Sequence, residues 1–106
     1  MPKLSFVYTT FETDKQAKEL TSRLLKKKLI ACANMYAGVT SFYEWKGEMR
    51  KASEVVVVYK TVQSTLPSLK EYIQNHHPYE TPCIATLGIQ DVNESFLDWV
   101  NEGTKT

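Results

Sequence analysis

Four consecutive β-branched residues, Val55-Val56-Val57-Val58, constrain this chain more than any other feature. Neighbouring side chains on a strand point to opposite faces, so the run puts valines on both sides of a sheet and both sides need cover. A chain of 106 residues has room for one core at the common domain size, and one domain over residues 1–106 is expected. Its own helices supply one cover. The other comes most economically from a second copy of the same chain.

The flanking patterns say what surrounds that strand. Leu4, Phe6 and Tyr8 alternate with Ser5, Val7 and Thr9, the period of a half-buried strand. Thr13 with Gln16 three positions on forms a capping box, and Ala17, Leu20 and Leu24 recur at helical spacing, predicting a helix from 14 to 29. Residues 31 to 45 read as a long strand with a bulge at Gly38. Lys46-Gly47 has the spacing of a tight turn into the valine strand, which makes the pair antiparallel. Thr65 or Ser64 caps a second helix carrying Leu66, Leu69 and Ile73 and ending near Asn75 ahead of Pro78. Residues 83–89 form a fourth strand, and Asn93 opens a terminal helix with Phe96, Leu97 and Val100 facing inward. The predicted fold class is α+β: a ferredoxin-like βαββαβ arrangement with a C-terminal helix.

Charge narrows the function classes. Thirteen basic residues against twelve acidic ones give no field to draw a polyanion, and the Lys26-Lys27-Lys28 run suits a helix C-terminus. Neither a nucleic acid nor a membrane is an expected partner. The valine strand offers no stacking aromatics of the RNA-recognition type. The amino terminus lacks a signal-peptide pattern and no apolar run is long enough to span a bilayer, so a cytoplasmic location is expected. Cys32 and Cys83 are too few and too far apart for a disulfide framework or a Cys-x-x-Cys metal site. The chain shows no nucleophile elbow, phosphate loop or metalloprotease helix, and it is not expected to be an enzyme.

Three stretches carry a family resemblance: Ala31-Cys32-Ala33-Asn34, Thr40-Ser41-Phe42-Tyr43-Glu44-Trp45-Lys46-Gly47 and His76-His77-Pro78-Tyr79-Glu80-Thr81-Pro82. In this order and spacing they resemble the CutA family of divalent-cation tolerance proteins over nearly the whole chain. The resemblance implies a homotrimer whose sheet edges pair across subunits, with the hairpin around Trp45 reaching a neighbour. It implies a role in divalent metal tolerance, copper above all, through the histidine pair and a cysteine near the end of the first strand; Thr9 stands at that position here. The family is also similar in architecture to PII-type signalling proteins, which carry small ligands in clefts between subunits.

The candidate sites follow. His76 and His77 are the only histidines, and imidazole is a ligand for Cu(II) and other divalent ions. Cys83 is an additional ligand candidate close by in sequence. Adjacent residues point apart on a helix, so the pair chelates one ion only from irregular backbone; the alternative is that one ring packs and one meets water. Tyr43, Trp45, Tyr79 and Trp99, with Lys60 and Glu80 as charged contacts, have the composition of an interface core or a small-ligand cleft. Three functions stay open: a metal-binding tolerance protein, a trimeric sensor or adaptor that binds a small ligand or partner protein with metal uptake incidental, or a purely structural scaffold whose trimer displays other proteins.

Overall fold

In the sequence the valine run sits in the third extended segment, and in the computed structural model, which describes residues 2–104, that segment is an interior strand. The elements are β1 (Leu4–Phe11), α1 (Asp14–Lys26), β2 (Cys32–Trp45), β3 (Glu48–Val62), α2 (Leu66–His76), β4 (Ala85–Gly88) and α3 (Glu94–Gly103). The sheet order is β2-β3-β1-β4 and every pair is antiparallel. This is the ferredoxin-like arrangement expected from the pattern.

One face of the sheet is closed by the first two helices. Val55, Val57 and Tyr59 of β3 and Val7 and Phe11 of β1 pack on Ala17, Leu20 and Leu24 of α1 and Leu69 and Ile73 of α2. Each such fully buried aliphatic side chain contributes about 1.5–3 kcal/mol relative to exposure. The capping box forms as the sequence predicts: Gln16 N–H donates to Thr13 Oγ1 at 3.2 Å, and Thr13 N–H donates to Gln16 Oε1 at 3.3 Å.

The opposite face corrects one expectation. α3 of the same chain covers part of it: Val100 is buried with Leu4 and Val62, and Phe6, Phe96 and Leu97 pack around them. Away from α3 the face stays open, with Tyr36 55% and Leu87 48% exposed.

Boundaries shift for local reasons. α1 ends at Lys26, three residues before the predicted end, because Lys28 turns left-handed at φ 58°. Leu29 N–H then donates to Leu24 O at 3.0 Å and Lys28 N–H to Leu25 O at 3.1 Å, a Schellman closure with lysine where glycine is usual. β4 covers only Ala85–Gly88 of the predicted 83–89. Its pairing with β1 stops at Tyr8↔Ala85, and the carbonyl of Thr10 further along β1 is taken by a side chain of the α2–β4 loop. Neither α2 nor α3 receives a side-chain hydrogen bond from Thr65 or Asn93.

β2 and β3 outrun β1, and their distal half projects from the body, giving a long axis of 47 Å against 26 and 22 Å. The predicted bulge is present: pairing shifts between Tyr36 and Val39, with Gly38 at φ 71°. The turn holds Lys46 at φ 51° and Gly47 at φ 79°, as a type I′ hairpin requires. No helix among the described residues is long and apolar enough to cross a membrane.

Candidate functional site

Pro78 disfavours helical backbone at the residue before it, so α2 stops and His77 turns extended at ψ 138°. That turn swings its ring onto Phe11 at the end of β1, stacked at 4.5 Å between centroids. His77 Nε2–H donates to the Thr10 carbonyl at 2.8 Å, while Nδ1 accepts the Tyr79 N–H at 3.0 Å. These two bonds define one neutral tautomer and occupy both ring nitrogens. Burial lowers the His77 pKa, with the bond to Thr10 opposing.

His76, the last residue of α2, points elsewhere. Its ring stacks on Tyr72 at 4.0 Å and its Nδ1–H donates to the Tyr72 carbonyl at 2.9 Å. The pair therefore does not converge, and His77 has no lone pair to give. Thr9 is fully buried, and its hydroxyl is the one buried side-chain polar atom without a partner among the described residues. Cys83 is exposed. Among the described residues no group of three or more His, Cys, Asp or Glu side chains is placed to hold a metal ion. Within one chain these residues do not fit a chelating site.

The same loop builds a different site. The two bonds of His77 carry the backbone to Tyr79, whose hydroxyl donates to Glu54 Oε2 at 2.8 Å; Ser41 Oγ donates to Glu54 Oε1 at 2.6 Å. The loop after α2 is thus joined to both strands of the projecting hairpin. Around this junction lies a cleft of about 580 Å³, bounded by Glu12, Phe42, Tyr43, Trp45, Glu54 and Tyr79 together with small residues. Burial first, then the bond to Glu54 and the charges of Glu54 and Glu12, hold the Tyr79 hydroxyl protonated well above the usual tyrosine range. Tyr79 is a permanent donor that fixes the carboxylate. Phe42 is 67%, Tyr43 49% and Trp45 57% exposed, a cluster of apolar surface beside that carboxylate.

Of the residues singled out in the sequence, Tyr43, Trp45 and Tyr79 meet in this cleft. Glu80 is exposed next to it in the chain. Lys60 and Trp99 lie elsewhere in the single chain: Lys60 Nζ stands 5.2 Å from the Phe6 ring and 5.4 Å from the Phe96 ring, and Trp99 stacks on Phe96 at 5.8 Å. Cys32 pairs across the sheet with Lys60; burial raises its thiol pKa although the lysine charge opposes this, so it is a weak nucleophile. Glu12, Ser41 and Glu54 were not legible as site residues. The available signal was a glutamate immediately ahead of a buried valine run, where a half-buried carboxylate needs donors.

The family model described as CutA1 divalent ion tolerance protein matches residues 5–103. The divalent-cation tolerance protein CutA of Pyrococcus horikoshii is 41% identical over 99 residues, which are 93% of this chain and 96% of that protein. Protein CutA of Mus musculus is 36% identical across 97% of this chain, which spans 58% of that longer relative. The crystal structure of divalent ion tolerance protein CutA1 from Ehrlichia chaffeensis superposes with a TM-score of 0.98 at 37% identity, covering 100% of this chain and 99% of that one. Fold, motif order and these likenesses agree: the chain belongs to the CutA1 divalent ion tolerance family.

Proposed function

We propose that the chain serves divalent-cation tolerance as a homotrimeric binding protein, not an enzyme, whose working site is the cleft beside Glu54 and Tyr79. The observation that carries this reading is the commitment of both His77 nitrogens to holding the Tyr79 loop. The histidine then supports a cleft instead of chelating an ion. The exposed hairpin aromatics and the part of the sheet that α3 leaves open supply apolar surface for assembly. A cytoplasmic setting, in which Cys32 and Cys83 stay as thiols, goes with this reading.

Native mass spectrometry with Cu(II) or Zn(II) titrated against a competing chelator tests it, beside a His76→Ala/His77→Ala variant. The expected result is a trimer that surrenders its ions to the chelator, together with stabilisation of the trimer by members of a small-ligand panel. A competed ion retained on each chain and lost in the variant would replace this reading with a metal site at the histidine pair. A monomer at micromolar concentration would remove the assembly.

A further inference from the structure

Beyond the cleft at the hairpin base, we infer that the seam between α1 and α2 holds a second site, one for a small zwitterion of the α-amino acid type. A hollow of about 400 Å³ lies there, lined by Lys27 and Leu29 past the end of α1 and by Ser68, Glu71, Tyr72 and Asn75 of α2, and its volume is in the range of small-ligand sites. The left-handed turn at Lys28 supplies the apolar wall: it folds Leu29 back against the core, with the Leu29 N–H donating to Leu24 O at 3.0 Å. The hollow is at the end of the sheet away from the projecting hairpin, since the Leu29 carbonyl accepts from Thr61 Oγ1 at 2.9 Å and Thr61 pairs with Ser5 near the start of β1. Among the described residues, the large apolar side chains left exposed lie on the strands and α3, Leu25 excepted. Assembly through those surfaces leaves the outer side of α1 and α2 to solvent.

The lining carries one cation and one anion that do not close on each other. Neither the Lys27 ammonium nor the Glu71 carboxylate is in an ion pair among the described residues. Lys27 Nζ instead stands 5.4 Å from the Tyr72 ring centroid, and that ring is held from its own helix by His76, stacked on it at 4.0 Å. Opposite charges on one hollow, with space between them, complement a ligand that carries both. Lys27 binds its carboxylate and Glu71 its ammonium, the Ser68 hydroxyl and the Asn75 amide add hydrogen bonds, and Leu29 with the Tyr72 ring takes an aliphatic side chain. A simple anion meets the Glu71 charge and a simple cation meets the Lys27 charge, a repulsion that the zwitterion turns into a second attraction. A divalent metal ion finds a single carboxylate here, beside a lysine, where it needs a shell of oxygen ligands.

The test is an NMR titration of the native assembly with three probes of one shape: L-leucine, isoamylamine, which lacks its carboxylate, and isocaproate, which lacks its ammonium. Lys27→Gln and Glu71→Gln variants are titrated in parallel; both side chains are exposed, and circular dichroism checks that each variant folds. Expected is saturable leucine binding reported by the amides of Lys27, Leu29, Glu71 and Asn75, roughly tenfold or more tighter than either truncated probe, and weakened several-fold in each variant. Equal binding of leucine and a truncated probe at those amides overturns the zwitterion inference. Leucine affinity unchanged in either folded variant also overturns it, as does the absence of any shift at those amides up to the solubility of the probe. Shifts confined to Tyr43, Trp45 and Tyr79 place the ligand in the hairpin-base cleft, which overturns the second site and leaves the cleft reading intact. The comparison of the three probes on the unsubstituted protein decides the matter whether or not a variant folds.

Discussion

The imidazole of His77 bridges the end of β1 and the loop after α2, donating to Thr10 at 2.8 Å through one nitrogen and accepting from Tyr79 at 3.0 Å through the other. His77→Ala leaves a carbonyl and an amide short of partners at a half-buried site, and such losses cost about 1–3 kcal/mol each when no water replaces them. Chemical denaturation is expected to show a loss of about 2–4 kcal/mol, with the Tyr79 and Glu54 resonances shifted.

The same histidine sets an acid-side pH dependence. Burial lowers its folded pKa below the ordinary 6.5, so the unfolded chain binds the proton first as pH falls. The stability contribution is complete above about pH 6.5 and is lost as the pH drops toward the folded value. Unfolding free energies measured between neutral and mildly acidic pH should fall in the native protein and fall less in His77→Ala.

Tyr59 sets an alkaline counterpart. It is fully buried, its hydroxyl meets Thr21 Oγ1 at 3.1 Å, and burial pushes its pKa up to about 12. A tyrosine neutral in the fold and ionised at about 10 in the unfolded chain contributes stability below pH 10 that is lost as pH rises toward 12. Tyr59→Phe removes that contribution at a cost of about 1 kcal/mol at neutral pH; urea midpoints on both sides of pH 10 measure it.

Lys28 holds φ 58° after α1, a conformation that costs a side-chain-bearing residue about 1–2 kcal/mol relative to glycine. Lys28→Gly should raise stability by about 1 kcal/mol, seen as a higher thermal midpoint with an unchanged circular dichroism spectrum. Lys28→Val should lower it.

Tyr79→Phe deletes the donor to Glu54 Oε2 and keeps the ring. A loss of about 1–2 kcal/mol is expected, since hydrogen bonds to charged groups exceed neutral ones. A changed Trp45 emission should accompany it, because both residues border one cleft. Unaltered stability and emission would show that the Tyr79–Glu54 bond does not organise the hairpin base.

Much of the fold was legible because its signals are local. The first strand, the Thr13–Gln16 box, the Gly38 bulge and the Lys46-Gly47 turn each act within a few residues, through pleat, capping and φ preference, and each appears where the sequence places it; in β1, however, the deeper face is Val7, Thr9 and Phe11 while Phe6 and Tyr8 are only partly buried, because β1 is an interior strand covered on both faces. Two-sided burial of the valine strand was legible for the same reason, since side-chain period alone dictates it.

What only the tertiary structure decided was which distant groups meet. Nothing in sequence spacing announces that His77 turns onto Phe11 and spends both nitrogens there, 67 positions from Thr10, or that Glu54 receives hydroxyls from Ser41 and Tyr79. It also decided that α3 covers one end of the second sheet face. Hydrogen bonds between remote elements depend on the relative placement of packed layers, and that placement follows from filling the whole core at once rather than from any short window of the chain.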